Sequence, residues 1–173
     1  FALRRIRLIH SIIFTIGGIP LIFLGDEIGM LNDPSYRDDI DKEGDSRWLH
    51  RPKFDWKKAD KRLEEGTSEE HLYSEIRKLS LLRLKNPALA RGDTEFFDTG
   101  NPHVFGYFRT SHEQSVLCLA NFSEVPQKVE ARRLRQLGLK KALVDIVSGH
   151  SIIASQTLDL ESLQFVALLR QNG

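Results

Sequence analysis

Ile16-Gly17-Gly18-Ile19-Pro20-Leu21-Ile22-Phe23-Leu24-Gly25-Asp26-Glu27-Ile28-Gly29-Met30-Leu31 is the stretch whose reading decides the fold. Its centre, Ile19 to Leu24, is continuously apolar, and it runs from a glycine pair to Gly25 and the acidic pair Asp26-Glu27. Continuous apolarity over so few residues predicts a strand buried on both faces, as in a parallel sheet. Gly25 lets the backbone turn sharply where a side chain would clash. Ligands gather at the carboxyl ends of strands in α/β sheets, so Asp26 and Glu27 are expected to leave the sheet on its functional side. Upstream, Ala2 to Thr15 reads as a helix, with Leu3, Ile6, Ile9 or His10, and Ile13 at helical spacing and Gly17-Gly18 ending it. Helix, short loop and buried strand form the αβ half of a βαβ unit. A doubly buried strand needs neighbours on both sides. Only one such strand is visible, so the sheet is expected to draw its other strands from sequence preceding Phe1.

Downstream, Asn32 to Asp55 is polar and broken by Pro34, Gly44 and Pro52, yet it carries Tyr36, Arg47, Trp48, His50, Arg51 and Phe54. A loop this long and this aromatic reads as an ordered segment over a site. Thr67-Ser-Glu-Glu70 is a capping box opening a helix. Leu72, Ile76, Leu79, and Leu82 with Leu81 or Leu84 form its apolar stripe, and Asn86-Pro87 stops it after about five turns. That stripe is read as core. After Ala90 the period changes to alternation. The expected strands are Thr94 to Phe97, His103 to Arg109, Ser115 to Asn121, Gln127 to Glu130, Ala142 to Asp145, Thr157 to Leu160 and Gln164 to Leu169. One irregular turn is expected over Leu134 to Leu139. Short strands at this spacing predict an antiparallel sandwich. The fold class is therefore α/β followed by all-β, with domains at 1–90 and 91–173 meeting near Ala90 to Gly92.

Composition narrows the function. The 173 residues are 40% hydrophobic and 28% charged, ordinary for a globular protein. Twenty-five basic residues against 24 acidic give a net charge of +1, no electrostatic basis for nucleic acid or an acidic membrane surface as partner. No apolar stretch is long enough to span a bilayer. Arg4, Arg5, Arg7 and His10 interrupt Phe1 to Ile16 as a signal peptide, and Cys118 is alone, so the expected location is cytoplasmic. Cys118 lies in an apolar run and reads as a small buried hydrophobe.

Gly18-Ile-Pro-Leu-Ile-Phe-Leu-Gly-Asp-Glu-Ile-Gly29 resembles the signature at the eighth barrel strand of the α-amylase family of glycoside hydrolases, family 13. Asp45-Ser-Arg-Trp-Leu-His-Arg-Pro52 resembles the corresponding loop of amylosucrases and related sucrose hydrolases. Leu31-Asn32-Asp33 and Ala120-Asn-Phe-Ser-Glu124 fit the same subgroup. The resemblance covers nearly the whole chain. It implies the last unit of a (β/α)8 barrel followed by the family's C-terminal β-sandwich. It further implies a retaining enzyme that displaces fructose from sucrose and passes the glucosyl group to α-glucan or water, chemistry that needs two carboxyl groups flanking one bond. In the family those groups and a third aspartate follow barrel strands four, five and seven, upstream of Phe1, so no catalytic residue is assigned here and this chain alone is expected to be inactive. Arg47 matches the arginine that pairs with an aspartate from an early barrel loop to close the floor of the glucosyl pocket.

Each candidate has a plainer reading. Arg47 in isolation would be a solvated loop arginine. Asp26 and Glu27 are adjacent and point to opposite faces of an extended chain, so they cannot flank one bond; bracing the turn is the preferred role. Trp48, Tyr36 and Phe54 suit sugar stacking or packing beneath the loop equally. His50 among Asp41, Glu43 and Asp45 is a poor zinc pattern, and Asp33, Asp38, Asp39 and Asp41 do not match the spacing of a calcium loop, so no metal and no cofactor is predicted. Phe96, Phe97, Phe105, Tyr107 and Phe108 would make the second domain a carbohydrate-binding module if they shared one exposed face; a purely structural shield is the preferred reading. The apolar strand and helices of the first 90 residues, without the rest of a barrel, are expected to drive self-association.

Overall fold

In the computed structural model, which describes residues 1–139, 142–153 and 156–170, helix α1 spans Ala2–Thr15. Residues 171–173 of the expected second domain lie outside the described ones. α1 buries only part of the predicted stripe, with His10 buried and Ile6 and Ile13 half-buried. Leu8, His10, Ser11, Phe14 and Thr15 are buried, whereas Leu3 and Ile9 are exposed. The helix is apolar on two sides, and the sheet domain takes the side of Leu8 and Ile12. Its polar residues are satisfied locally: Ser11 Oγ donates to the Arg7 carbonyl at 2.8 Å, and Thr15 Oγ1 lies 2.6 Å from Tyr107 Oη.

Ile19 to Leu24 is not the buried strand that its sequence predicts. It belongs to neither sheet, and Ile19 and Leu21 are 95% and 85% exposed. A parallel strand is held by hydrogen bonds to neighbouring strands, and none of the described residues supplies them.

By internal contacts the chain divides into two units, Phe1–Pro20 with Arg77–Gly173, and Leu21–Ile76. The second holds short capped turns, described below, and the helix α2 (Trp56–Asp60), whose start Asp55 caps by accepting from Lys58 N at 2.9 Å. α3 (Ser68–Lys85) carries the chain from one unit to the other. Thr67 Oγ1 accepts from Glu70 N at 3.1 Å, which is half of the expected capping box. The other half is absent: the Thr67 amide donates to the Glu64 carbonyl and the Glu70 carboxylate lies 3.4 Å from His71 Nδ1. Leu72, Ile76 and Leu79 are buried as expected, while Leu81 and Leu84 are exposed.

In the first unit α4 (Pro87–Arg91) leads into eight strands: β1 (Asp93–Phe97), β2 (Val104–Thr110), β3 (Ser115–Asn121), β4 (Gln127–Val129), β5 (Ala142–Asp145), β6 (Ser151–Ile153), β7 (Leu158–Leu160) and β8 (Phe165–Arg170). A fifth helix, α5 (Ala131–Gln136), lies between β4 and β5, where an irregular turn was expected. One six-stranded antiparallel sheet has the order β1-β2-β3-β8-β5-β6; β4 and β7 pair in a second sheet. The sequence pattern thus located seven strands and missed β6, a short edge strand opening on a serine. Side chains alternate between two cores. Leu117, Leu119, Leu143, Val166 and Leu168 meet Val129, Leu134, Leu158 and Leu160 inside the sandwich. Tyr107, Val116, Cys118, Ala120 and Phe165 face outward to Leu8, Ala88 and Leu89. Cys118 is fully buried there, and burial pushes its thiol up to about 12, so it behaves as a hydrophobe. No helix among the described residues is long and apolar enough to cross a membrane.

Gly92 lies at the junction of α4 and β1, where a Cβ would stand 2.4 Å from the Ala88 carbonyl oxygen and 2.6 Å from that of Thr110. Backbone cannot swing aside as a side chain can. Gly92→Ala is expected to lower stability in urea unfolding by about 1–3 kcal/mol, and Gly44→Ala, with nothing within 4 Å of its Cβ, by less than about 0.5 kcal/mol.

Candidate substrate-binding loop

The unit Leu21–Ile76 is organised by aspartates that each begin a tight turn. Asp26 follows Gly25, which adopts φ 105° and has Met30 packed where a Cβ would lie. Asp26 accepts from Phe23 N at 3.2 Å, and Glu27 accepts from Gly25 N at 2.8 Å. Both carboxylates therefore brace the turn, the role preferred for them above. Asp33 opens the turn Pro34–Asp38 by accepting from Ser35 N at 3.0 Å and Ser35 Oγ at 2.5 Å. Asp39 accepts from Asp41 N at 3.1 Å and pairs with Lys42. Asp45 opens the turn Ser46–His50. Short polar side chains do this because their oxygens reach the backbone amides that a turn leaves free.

These turns are stitched to one another. Asp33 N donates to the Leu49 carbonyl at 2.9 Å, and His50 Nδ1 hydrogen-bonds Asn32 Oδ1 at 3.0 Å. Lys42 Nζ stands 5.6 Å from the centroid of the Trp48 ring, within cation–π range. Tyr36 is buried, so it packs and does not present a sugar platform; Trp48 and Trp56 are exposed, with Phe54 edge-on to Trp56 at 4.8 Å. Lys58 Nζ donates to the Gly29 carbonyl at 2.6 Å and lies 3.8 Å from Glu69. Of the acidic residues weighed as a metal cluster, Asp33, Asp39 and Asp45 are thus spent on turns, and no group of three His, Cys, Asp or Glu side chains that could hold a metal occurs among the described residues.

Arg47 projects from the last of these turns with its side chain 72% exposed. Its guanidinium lies flat against Asp45: Nε donates to Oδ1 at 2.8 Å and to Oδ2 at 3.0 Å, and Nη2 donates to Oδ2 at 2.7 Å. The Arg47 amide also donates to Oδ1, at 3.0 Å. Nη1 donates no hydrogen bond to the described residues. This pair was not foreseen, although an Asp two residues before an Arg, at the start of a turn, is the signal that could have found it. The Arg47 guanidinium and then its amide hold the Asp45 carboxyl at about 2, and the same contact raises the arginine. Asp33 is held low by the Ser35 hydroxyl and then its amide, and Asp39 by Lys42 and then the Asp41 amide. A site of this kind can bind and orient hydroxylated or anionic groups.

On the sheet domain, Phe97 and Phe108 pack towards the inner core and Tyr107 is buried. Of the five aromatic residues proposed for sugar stacking, Phe96 alone is exposed; Phe105, 5.7 Å from it, is half-buried against the outer core, and the exposed Phe122 lies 6.5 Å from Phe105.

The depressed carboxyls set a pH dependence. A carboxylate held low in the folded state favours folding above its unfolded value, near 3.9, and that contribution is lost as pH falls through the folded value. The loop is expected to stay ordered at pH 5 and loosen between about pH 4 and about pH 2, where Asp45 titrates. Carboxyl-carbon NMR checks this: Arg47→Gln should return Asp45 towards the ordinary range, near 3.9.

Comparison with known proteins places these features. Residues 94–166 match the family model described as maltogenic amylase, C-terminal domain. The chain is 29% identical over 159 residues to a cyclomaltodextrinase of Geobacillus thermopakistaniensis (strain MAS1), an alignment covering 87% of this chain and 22% of that relative. The chain therefore spans about a fifth of the length of that curated relative. The crystal structure of AmyP in complex with maltose superposes with a TM-score of 0.73 at 17% identity, over 96% of this chain and 34% of AmyP. A MutB mutant in complex with sucrose superposes with a TM-score of 0.65 at 18% identity, over 96% of this chain and 38% of MutB. Over residues 94–166 the chain is thus similar to the C-terminal domain of maltogenic amylases, and it shares the fold of these solved structures.

Proposed function

We propose that the chain is the C-terminal part of a retaining, α-glucoside-acting enzyme, an amylosucrase-like glucosyltransferase that takes glucosyl units from sucrose and adds them to α-glucan. In this reading residues 1–90 complete a (β/α)8 barrel and 91–173 form the domain behind it. The observation that carries it is the Asp45-Ser46-Arg47-Trp48 turn, an Asp-capped turn that holds out an exposed guanidinium next to an exposed indole. A guanidinium fork suits both a carboxylate from the preceding barrel and the hydroxyls of a sugar ring. The exposed Leu21, Phe23 and Leu24 support the same reading, since those side chains suit a strand between two others. The lone buried cysteine fits a reducing compartment, and we place the enzyme in the cytoplasm.

With the whole protein, sucrose is expected to yield free fructose and an iodine-staining glucan. Arg47→Ala is expected to lower kcat/KM for sucrose about a hundredfold, or ~2.7 kcal/mol, as loss of a charged hydrogen-bonding fork does. The runner-up is a hydrolase of sucrose or of α-glucans, which the likeness to a cyclomaltodextrinase favours. Breakdown of starch or cyclomaltodextrin without sucrose turnover would establish the hydrolase and overturn the transferase. The 173-residue chain alone is expected to release no fructose and to associate in light scattering as its concentration rises. Leu21→Ser with Leu24→Ser should reduce that association.

A second reading concerns the β-domain. The exposed Phe96 and Phe122, either side of the half-buried Phe105, favour contact with α-glucan. Retardation of the chain in a glycogen gel that Phe96→Ala and Phe122→Ala abolish would support it; unchanged mobility of the unsubstituted chain would leave the domain as a structural shield.

A further inference from the structure

A cavity of about 380 Å³ opens on the first unit, between α1 and the turns that follow β5 and precede β8. Such a volume lies within the range of small-molecule sites, roughly 300–1,000 Å³. One wall is cationic. Arg4 and Arg7, one turn apart on the same side of α1, are joined by Lys78 of α3, and all three are exposed. Ser148, Ser162, Gln164 and the carboxylate of Glu161 also line the cavity. Leu8, Leu163 and Phe165 supply apolar lining.

The other acid at the cavity does not offset the cationic wall. Asp145 is buried and turned inward. It accepts from Val147 N at 3.1 Å, Ala167 N at 3.0 Å, Ser148 N at 3.2 Å and Ser148 Oγ at 2.5 Å. Its charge is already matched by these donors, which leaves Glu161 as the carboxylate nearest solvent.

Two local features at the cavity lack a structural reason. Ser162 Oγ is buried and has no hydrogen-bond partner among the described residues. A buried hydroxyl without a partner is costly. Beside it, Leu163 has φ 55°, and it is the one non-glycine described residue with a positive φ. A branched apolar residue is disfavoured in that conformation, and such outliers gather where a ligand is held. The strain sits in the loop of Glu161 to Gln164, which lines the cavity.

We propose that this cavity binds a sugar phosphate. The phosphate lies against Arg4 and Lys78, whose charges and donors match a dianion. The sugar ring lies on Leu163 and Phe165, and its hydroxyls meet Glu161, Gln164 and Ser162. Apolar lining together with acceptors and donors selects a ring with hydroxyls over a bare phosphate, and the cations select the phosphorylated sugar over the free one. The site is separate from the turn that carries Arg47 and does not depend on the transferase reading.

Calorimetric titration of the whole chain with glucose 6-phosphate, inorganic phosphate and glucose tests this at about 150 mM salt, where diffuse attraction is screened within about 8 Å. Glucose 6-phosphate is expected to bind one-to-one, at least tenfold tighter than inorganic phosphate, with no heat from glucose. Arg4→Gln with Lys78→Gln, both at exposed positions, should weaken it at least tenfold with the thermal unfolding curve unchanged. Glu161→Gln should weaken the sugar phosphate and leave inorganic phosphate as it was. Equal binding of inorganic phosphate would overturn the sugar assignment. Unchanged binding by the double variant, or no binding of glucose 6-phosphate at all, would overturn the site.

Discussion

The outer face of the six-stranded sheet is covered by α1 and α4, and the position of everything before residue 20 follows from that contact. Leu8 supplies the apolar part. Thr15 supplies the directional part through its bond with the buried Tyr107 hydroxyl. Such a bond is worth about 1 kcal/mol net, but leaving the Tyr107 hydroxyl buried and unpaired would cost about 1–3 kcal/mol. One arginine then fixes where the helix ends, and a second lies buried nearby. Arg83 donates to the Phe14, Ile16 and Gly18 carbonyls, the free acceptors past the last turn of α1. Arg109 is buried, donating to Thr94 and to the Leu89 carbonyl. Burial lowers both arginines, and repulsion from Arg109 lowers Arg83 further. Carbonyl dipoles at a helix C-terminus are negative, so they serve these cations in place of carboxylates.

The turn-rich unit obeys a different constraint. It has few buried apolar side chains, Ile28, Tyr36, Ala59, Leu72 and Ile76 among them. Order comes from side chains bonded to amides two or three residues away, at Asp33, Asp39, Asp45 and Asp55. Contacts so local survive at an exposed surface because they close very short loops of chain. They also commit the acids. A carboxylate that accepts from two or more donors is a weaker candidate for proton transfer or metal binding than its position in the sequence suggests. Arg47 escapes this limit because its partner, Asp45, belongs to the same turn, so the pair moves as one piece.

Legibility in the sequence followed the range of the interactions. β3 was read to the residue because Ser115 to Asn121 is bounded by turn signals on both sides. β2, β4, β7 and β8 came within a residue or so of their ends for the same reason. β6 escaped because a three-residue edge strand carries no period. α5 escaped because Arg132, Arg133 and Arg135 hide a single buried Leu134. The face of α1 was read only in part, for a deeper reason. Leu3, Ile6, Ile9 and Ile13 form a better stripe than Leu8 and Ile12, and periodicity cannot say which of two apolar sides a given partner takes. The run Ile19 to Leu24 shows the same limit: its composition specifies a strand among neighbours, and pairing is a property of those neighbours. In the candidate loop, turns and aromatics were legible, whereas the clasp of Arg47 by Asp45 depends on side-chain geometry that spacing only permits.

Likeness is strongest where chemistry is least. The segment matched as a maltogenic amylase C-terminal domain, 94–166, is the sandwich, whose identity rests on alternating apolar residues in two cores. Neighbours at 17% and 18% identity share that fold while their structures hold different sugars, maltose and sucrose. A fold held by burial tolerates such divergence, because volume and pattern suffice to fill a core. Specificity has no such tolerance: it depends on a few polar groups held at fixed geometry. In the proposed reading those groups are the guanidinium clasped by Asp45 and the residues that a barrel would bring to it. The fold of residues 94–166 is carried by many contacts, whereas the proposed choice between sucrose and α-glucan would rest on a handful around Arg47.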